Sequence, residues 1–282
     1  LQAMGYTVHY AANLREPAYI SDRERIRARG VVPHHIDIAR SPYLLGDNRR
    51  ALRQVLCLLR RWEMGAIHCH TPVGGLVGRL AGRLAPTRPV VVYTAHGFHF
   101  YRGAPLYNQL AFYPVEWNLA RYTDILVTIN SEDYRAARRL PLRRGGKVFQ
   151  LPGVGLDRRE FSPLPPAERA ILRQRLGVAP EEFFLLSVGE LNQNKNHQVV
   201  LEALSRLKRR GCLEGIRYGI CGEGFARPQL EEEIRARGLS QVVTLYGYRP
   251  DIPQMVGCAD ATVFPSRREG LGMAGLGSLA MG

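Results

Sequence analysis

Short apolar runs alternate with stretches of helical periodicity along the chain. Runs rich in β-branched and other large apolar residues predict buried strands, and apolar residues spaced by three and four predict helices between them. In the first half the predicted strands are 6–11, 31–38, 66–70, 90–95, 125–129 and 148–151, and the predicted helices are 21–29, 48–62, 74–84, 105–120 and 131–140. This alternation is typical of a parallel sheet covered by helices on both faces, so we predict an α/β fold.

The alternation stops between residues 152 and 166 and then restarts. This segment is rich in proline and glycine, which is typical of a boundary between domains. After it the predicted strands are 183–188, 217–221, 242–246 and 261–264, and the predicted helices are 198–210, 226–237 and 252–258. We therefore predict two tandem Rossmann-like domains, residues 1–157 and 158–282.

The two ends of the sequence have the patterns of partial elements. Residues 1–5 resemble the last turn of a helix closed by a glycine, and residues 273–282 resemble a helix that has just begun. We therefore expect a strand and most of a helix to precede Leu1, and both domains to be incomplete.

The chain carries a large excess of positive charge. Its 282 residues include 39 lysines and arginines against 25 acidic residues, a formal net charge of +14. A field of this sign attracts the phosphates of nucleotides, nucleic acids or anionic lipid headgroups, and it does not choose among them. Because most of these residues have helical spacing, solvated helix faces account for the greater part of the excess.

Composition argues against several classes of protein. With 45% apolar and 23% charged residues the chain is neither disordered nor fibrous. Its five cysteines are an odd number and include no C-x-x-C pair, which argues against a disulfide framework or a zinc ribbon. The sequence contains no run of 18 apolar residues and no basic-then-apolar leader, so we predict neither a membrane span nor an export signal.

A polar loop between a predicted strand and a predicted helix is a candidate anion site. Residues 187–197 place a helix N-terminus, with its unpaired N–H groups and positive dipole end, at the carboxyl edge of the sheet. Lys195 would add a full charge there, and it is one of only three lysines, with Lys147 and Lys208. The alternative is an ordinary helix start with an incidental lysine.

Two glycine turns follow strands of the second half. Gly222 and Gly224 form a tight turn, although glycines are common in turns of any kind. Residues 265–275 contain a G-x-G-x-x-G sequence, but five residues separate it from the predicted strand, which argues against a dinucleotide fingerprint. We instead interpret it as a turn whose N–H groups approach a phosphate, with Glu269 directed at sugar hydroxyls.

Histidines cluster at two strand ends of the first half. His68 and His70 lie on one face of a predicted strand, a spacing that suits a metal and would fit a metal-dependent hydrolase. Beyond His96 and His99 only His197 follows, so the supporting ligands are few. The better placed candidate for contact with substrate is His96, which lies beside a glycine turn.

Taken together, these segments resemble the retaining GT-B glycosyltransferases of family 4, in particular the bacterial branch that assembles capsular or exopolysaccharide repeat units. The resemblance spans essentially the whole chain, and the ordered set of motifs is far more specific than any one of them. The motifs that carry it are Tyr93–Phe100, Tyr122–Asp124, Ile129–Asp133, Pro152–Asp157, Gly189–Leu191 with Lys195-Asn196, Gly222–Gly224, Gly247–Ile252 and Pro265–Gly270.

The resemblance implies roles for individual residues. Lys195 matches the lysine that neutralises the donor diphosphate, Glu269 matches the first glutamate of the E-x7-E signature, which binds the donor sugar, and His96 matches a histidine facing that sugar. These three are the implied catalytic residues. The implied donor-binding residues are Gly189, Glu190, Asn194, Gly222, Gly224, Tyr248 and Arg249 (at the nucleotide base), Gly270, Leu271, Gly272 and Met273.

The sequence departs from the family pattern at three places. Gly277 stands where the signature has its second glutamate, so the usual ribose contact is missing. Glu190 stands where many relatives have arginine, which places more of the diphosphate charge on Lys195. The glycine-rich loop of the family's first strand is expected to lie before Leu1.

The resemblance implies a glycosyltransferase that moves a sugar, with retention, from a UDP- or GDP-linked donor to a polyprenyl-diphosphate-linked saccharide in surface polysaccharide biosynthesis. It implies no cofactor, no metal and no nucleic acid partner, and a cytoplasmic protein in peripheral contact with the anionic inner membrane face. The first domain would be the acceptor side and the second the donor side. The alternatives are a non-catalytic nucleotide-sugar-binding protein, a metal-dependent hydrolase, and a nucleotide-sugar epimerase or dehydrogenase.

Overall fold

A computed structural model of the chain describes residues 1–15, 20–39, 41–153 and 155–282. The chain divides into two compact units, Leu1–Val154 and Gly155–Gly282. The division falls in the same segment, rich in proline and glycine, in which the sequence predicts the domain boundary. None of the helices described is both long enough and apolar enough to cross a membrane.

The first unit is built from parallel strands and helices in alternation. Strands β1 and β2 pair with each other, and strands β3 to β6 form a second parallel sheet in sequential order. A 3₁₀ turn at Gln2–Met4 precedes them. The elements are β1 (His9–Ala12), α1 (Ile20–Ala28), β2 (Val32–His35), α2 (Leu45–Arg61), β3 (Ala66–His70), α3 (Pro72–Leu84), β4 (Val90–Ala95), α4 (Leu106–Ala120), β5 (Ile125–Thr128), α5 (Ser131–Ala137) and β6 (Lys147–Gln150).

Helix α3 packs directly on strands β3 and β4 because glycines line its inner side. A Cβ atom at Gly78 would lie 2.3 Å from Cys69 Sγ, and one at Gly82 would lie 2.3 Å from Val91 Cγ2. Both distances are far below van der Waals contact, so a larger residue would force the helix away from the sheet. The apolar core of this unit forms under α3 and its neighbours.

The second unit has one parallel sheet with the strand order β10-β7-β8-β9. Because β10 lies next to β7, the loops that follow these two strands are neighbours at the carboxyl edge of the sheet. The elements are α6 (Pro166–Arg175), β7 (Phe183–Val188), α7 (Gln198–Arg209), β8 (Ile216–Cys221), α8 (Arg227–Ala236), β9 (Val243–Gly247), α9 (Ile252–Cys258), β10 (Ala261–Thr262) and α10 (Met273–Met281).

The predicted α/β fold with parallel sheets is confirmed, and several predicted bounds are wrong. The predicted strand 31–38 is only Val32–His35, and the predicted strand 261–264 is only Ala261–Thr262. Helix α6 was not predicted because three prolines at its start suggested a linker. Pro166 is compatible with the helix because it occupies the first helical position, where no backbone N–H is needed.

Helix α6 is fixed to the sheet by a buried arginine. Arg173, 4% exposed, donates to Asp260 Oδ2 at 2.9 Å and to the carbonyl oxygen of Cys258 at 3.2 Å. Asp260 also accepts the backbone N–H of Phe184 at 2.7 Å, so one carboxylate ties α6 to the neighbouring strands. Burial opposes its ionisation, but these hydrogen bonds prevail and lower the pKa of Asp260.

Candidate functional site

An ion pair joins the loops that follow β7 and β10 in the second unit. Lys195 lies in the loop before α7 and Glu269 in the loop before α10, and Lys195 Nζ donates to Glu269 Oε1 at 2.5 Å. The lysine side chain is 22% exposed and the glutamate side chain 34%, so both remain open to a ligand at the carboxyl edge of the sheet. The structure thus brings two of the three predicted catalytic residues into contact.

Backbone and asparagine contacts hold these two loops together. Asn194 Nδ2 donates to the carbonyl oxygen of Arg268 at 2.8 Å, and the N–H of Arg267 donates to the carbonyl oxygen of Asn194 at 2.8 Å. Asn196 Nδ2 adds a bond of 3.2 Å to the carbonyl oxygen of Pro265. The ion pair therefore stands on a bonded framework, which restricts its side chains.

The electrostatic state of the pair follows from its contacts. Partial burial disfavours the charged form of Glu269, but hydrogen bonds from Lys195 and Ser266, together with the lysine charge, lower the pKa of its carboxyl group. Glu269 is therefore a carboxylate at neutral pH and can only accept hydrogen bonds. A sugar hydroxyl is a donor of the right kind for it, and a phosphate would compete with it for Lys195.

Glycines let the loop after β8 pack on the loop after β7. A Cβ atom at Gly222 would lie 1.9 Å from the carbonyl oxygen of Gly189, and one at Gly224 would lie 2.3 Å from that of Leu191. The N–H groups of Gly189 and Gly222 already donate to backbone carbonyls, at 2.9 Å and 2.7 Å. Gly189 and Gly222 therefore shape the loops, and their N–H groups are not available to a ligand.

Gly189 also makes room for the lysine. A Cβ atom there would lie 3.0 Å from Cε of Lys195, so the aliphatic stem of the lysine passes over the glycine. The adjacent Glu190 is exposed. The predicted role of Glu190 in donor binding stays a prediction.

The segment after β9 carries the residues predicted to hold the nucleotide base. Tyr248 is 73% exposed. Arg249 is bound to both carboxylate oxygens of Asp251, at 2.8 and 2.5 Å, and this hydrogen bonding raises the pKa of the arginine. An arginine held in this way offers a fixed, charged plane, and the residue before it in the sequence is an exposed tyrosine.

The glycine turn before α10 places a helix N-terminus beside Glu269. Gly272 has φ 53° and ψ 55°, a left-handed conformation that suits glycine, and α10 begins at Met273. The position of a Cβ atom at Gly272 lies 3.9 Å from Cβ of Glu269. The positive end of the α10 dipole therefore lies close to the ion pair. Gly270 and Leu271 belong to the same turn.

Gly277 stands where the family signature has its second glutamate, and Phe161 fills the space beside it. A Cβ atom at Gly277 would lie 2.6 Å from Cε1 of Phe161, and the aromatic ring leaves no space for a longer side chain. In this chain the position faces a phenylalanine of its own unit, so a glutamate could not occupy it without displacing Phe161.

Sequence reasoning missed His197, which lies next to the candidate site. This residue precedes α7, is 3% exposed, and neither ring nitrogen has a hydrogen-bond partner in the described part of the chain. Burial first, and the charge of Lys195 second, lower the pKa of His197 to about 4. The histidine is therefore neutral at pH 7. Nothing in its local sequence indicates burial, because it follows five polar residues, 192–196.

The histidines of the first unit form a row at the carboxyl ends of β3 and β4. His70 Nδ1 lies 3.1 Å from His96 Nε2, and His68 Nε2 lies 2.8 Å from Thr94 Oγ1. Burial and the charges of His68 and His96 lower the pKa of His70 to about 4. Across the described ranges no three or more His, Cys, Asp or Glu side chains are grouped to hold a metal ion.

Comparisons with known proteins agree across the chain. A model described as Glycosyl transferase 4-like matches residues 1–129, and a model described as Glycosyl transferases group 1 matches residues 168–282. The chain is 39% identical to EpsD of Bacillus subtilis (strain 168), a predicted glycosyltransferase, over 98% of this chain and 70% of EpsD.

A more distant relative and a solved structure with a similar fold extend the comparison. The chain is 27% identical to the UDP-Gal:alpha-D-GlcNAc-diphosphoundecaprenol alpha-1,3-galactosyltransferase of Escherichia coli, over 80% of this chain and 58% of that enzyme. The structure of this chain matches that of Anabaena HepE in complex with UDP and glucose, with a TM-score of 0.75 at 20% identity, over 96% of this chain and 70% of HepE. At that identity the structural match establishes the fold alone, which is the GT-B fold.

The fold and these matches define an enzyme of the transferase class that acts on glycosyl groups. The chain belongs to the glycosyltransferase family whose members join a Glycosyl transferase 4-like domain to a Glycosyl transferases group 1 domain.

Proposed function

We propose that this chain carries the sugar-transfer site of a retaining glycosyltransferase that uses a nucleoside-diphosphate sugar. The observation that carries the proposal is the pair Lys195–Glu269, held at the carboxyl edge of the second sheet beside the N-terminus of α10. A cation suits the diphosphate of such a donor, and a carboxylate that only accepts hydrogen bonds suits its sugar hydroxyls.

In this mechanism, Lys195 exchanges its hydrogen bond to Glu269 for one to the leaving diphosphate. The freed carboxylate of Glu269 then accepts hydrogen bonds from the sugar. The bond from the anomeric carbon to the phosphate oxygen breaks, the acceptor hydroxyl oxygen bonds to that carbon on the same face, and the hydroxyl proton passes to the leaving diphosphate. During this step negative charge grows on the diphosphate and positive charge on the sugar, so the cation and the carboxylate each stabilise the adjacent charge. The N–H groups of residues 270–273 add to the positive potential around the phosphate.

The other predicted residues have supporting roles in the proposal. Tyr248 stacks on the nucleotide base and Arg249, held by Asp251, binds at its edge. Residues 158–282 form the donor-side domain and residues 1–157 the acceptor-side domain. His96, which lies 3.1 Å from His70, keeps its predicted role as a residue that faces the donor sugar.

Donor and acceptor are proposed from the relatives. The name of the Escherichia coli enzyme specifies a UDP-sugar donor and a diphosphoundecaprenol-linked sugar acceptor, and HepE has been solved with UDP and glucose. We therefore propose a UDP-sugar, with a GDP-sugar as the second choice, and a polyprenyl-diphosphate-linked saccharide. The reaction would serve surface polysaccharide synthesis of the exopolysaccharide type, on the cytoplasmic face of the inner membrane.

The test is a transfer assay with a panel of UDP- and GDP-hexoses and a polyprenyl-diphosphate-linked acetylglucosamine. Product mass identifies the donor, and NMR of the new linkage shows whether the anomeric configuration is retained. We expect Lys195→Ala to lower the rate at least about 100-fold, the size typical for loss of one electrostatic contact to the transition state. The matched control is Lys147→Ala, at an exposed lysine of the first unit, which should keep the normal rate. A normal rate for Lys195→Ala would contradict the proposed role.

A second candidate function is nucleotide-sugar binding without transfer. Phe161 against Gly277 favours it, because this contact leaves no place for the second glutamate of the signature. Donor binding measured by calorimetry, combined with no product from any acceptor, would favour this candidate over the first.

A further inference from the structure

The cation of the candidate site is already bound to the carboxylate of the same site. Lys195 Nζ donates to Glu269 Oε1 at 2.5 Å, and the two side chains are 22% and 34% exposed. Water and salt screen a partly buried pair of this kind less than they screen a pair on an open surface. A ligand that takes the lysine must therefore break a contact that the protein makes with itself.

The loops restrict how far these two side chains can move apart. The stem of Lys195 passes over Gly189, and its Cε and Cδ atoms lie 3.0 and 3.1 Å from the position that a Cβ atom would occupy there. The N–H of Lys195 donates to Asn192 Oδ1 at 3.0 Å. On the other side, two hydrogen bonds join Asn194 to the two residues before Glu269. A ligand therefore has to replace the contact between the charges, because the framework holds them near each other.

A nucleoside diphosphate without a sugar replaces only half of this contact. Its phosphates can accept the hydrogen bond of Lys195, but no sugar hydroxyl follows the diphosphate to reach Glu269. The carboxylate then stays partly buried without its cation, next to the negative charges of the phosphates. A partly buried charge that has lost its partner is unfavourable, and like charges at short distance repel each other.

A nucleoside diphosphate that carries a sugar replaces both halves. Its phosphates accept a hydrogen bond from Lys195, and its sugar hydroxyls donate to Glu269, so neither charge loses its partner. The N-terminus of α10 attracts the phosphates of both ligands alike and gives no preference between them. The ion pair, by contrast, distinguishes one ligand from the other.

We infer that the Lys195–Glu269 pair selects nucleoside diphosphates that carry a sugar and weakens the binding of the free nucleoside diphosphate. This role rests on the proposed function, which assigns Lys195 to the diphosphate and Glu269 to the sugar. It adds an account of how the product leaves. Once the sugar has bonded to the acceptor oxygen, its hydroxyls withdraw from Glu269, and the carboxylate recovers Lys195 from the nucleoside diphosphate.

The test is isothermal titration calorimetry of the full chain without acceptor. The ligands are UDP with UDP-glucose and UDP-galactose, and GDP with GDP-mannose; the comparison uses the sugar nucleotide that binds most tightly and its own nucleoside diphosphate. Glu269→Gln removes the charge of the carboxylate and keeps its shape. We expect the nucleoside diphosphate to bind about fivefold more tightly, the equivalent of one partly exposed ion pair. The sugar nucleotide should bind about tenfold more weakly, because it loses hydrogen bonds to a charged group.

Two controls separate the ion pair from a general effect of negative charge. Glu190→Gln removes an exposed carboxylate from the loop that carries the lysine without releasing Lys195, and it should change the affinity for the nucleoside diphosphate less than about twofold. In a chain that already carries Lys195→Met, Glu269→Gln should no longer tighten the nucleoside diphosphate, because no cation is left to release.

A second glutamate variant guards against an effect of the glutamine itself. Glu269→Ala has no group that can accept a hydrogen bond from Lys195, so it should also tighten the nucleoside diphosphate. Three results would overturn the inference: no binding of any of the ligands, unchanged or weaker binding of the nucleoside diphosphate in both glutamate variants, and a gain that Glu190→Gln reproduces or that persists in the Lys195→Met chain.

Sugar transfer is measured separately, so that failure of this inference and failure of the proposed function can be told apart. Opposite changes in the two affinities, with no product from any acceptor, would support selection by the ion pair and contradict transfer. Product formation, with an unchanged affinity of Glu269→Gln for the nucleoside diphosphate, would contradict the inference alone. In an active chain, Glu269→Gln should also lower the concentration of nucleoside diphosphate that half inhibits transfer by about fivefold.

Discussion

Lys195 and Glu269 form a direct ion pair although 74 residues separate them in the chain. The contact exists because β10 adds to the sheet next to β7, which places the two following loops side by side. The pair is therefore a product of the sheet order.

Removing the lysine should change the titration of its partner. In Lys195→Met the carboxylate of Glu269 keeps its partial burial and loses its main hydrogen-bond donor, so we expect the pKa of Glu269 to rise. Carbon-13 NMR of the glutamate side-chain carboxyl groups measures this change. Lys147→Met should leave the titration unchanged, and an unchanged Glu269 in Lys195→Met would contradict the electrostatic coupling.

His197 should make the second unit sensitive to acid. Its pKa is about 4 in the folded chain against 6.5 when unperturbed, so between these values the unfolded chain binds a proton that the folded chain does not. The free energy of unfolding should therefore fall by about 3 kcal/mol as pH decreases from 6.5 to 4. Urea unfolding across this range measures it.

The variant His197→Leu tests whether His197 causes this pH dependence. His197→Leu should remove that part of the pH dependence, while His99→Leu, at an exposed histidine, should retain it. Parallel pH curves for the unchanged chain and His197→Leu would show that His197 is not buried as a neutral group.

Alanine at position 277 should destabilise the second unit. Its Cβ atom would lie 2.6 Å from Cε1 of Phe161, and such overpacking costs about 1–3 kcal/mol in unfolding free energy. Gly275→Ala is the matched control on the same helix, because its Cβ atom would meet Phe264 at 3.7 Å, an ordinary contact. If the clash is the cause, Phe161→Leu should restore part of the loss in a double variant.

The buried arginine of α6 should be required for the stability of the second unit. Arg173→Met leaves Asp260 with Arg169 as its remaining ion-pair partner and removes the buried donors to Asp260 and to the carbonyl oxygen of Cys258, so we expect a loss of about 1–3 kcal/mol in unfolding free energy. Arg175→Met changes an exposed arginine of the same helix and should have little effect on chemical denaturation. Equal denaturant concentrations at the midpoint of unfolding for the two variants would contradict the structural role of Arg173.

The fold could be predicted from local patterns, and helix α6 could not. Alternating apolar runs and amphipathic stretches specify strands and helices one at a time, which is why the parallel α/β architecture was correct. Helix α6 depends on Arg173 reaching Asp260 across 87 residues, and no local pattern contains that contact. Its prolines, seen alone, indicate a linker.

The candidate site likewise has residues that the sequence predicts and contacts that it does not predict. Lys195 and Glu269 stood out individually, each in a loop between a strand and a helix. The bonds of Asn194 and Asn196 to the opposite loop span 74 and 69 residues, and the tight contact of Gly222 with Gly189 depends on how two strands pair. His197 was missed because burial comes from packing, and its neighbours in the sequence are polar.

The bonds of Asn194 across the two loops bear on how a donor would bind. Folding has already restricted the backbone of both loops, so little conformational entropy is left to lose when a ligand arrives. Binding affinity and the stability of the second unit are thereby linked: a change such as Asn194→Ala would loosen both loops at once and lower both quantities together.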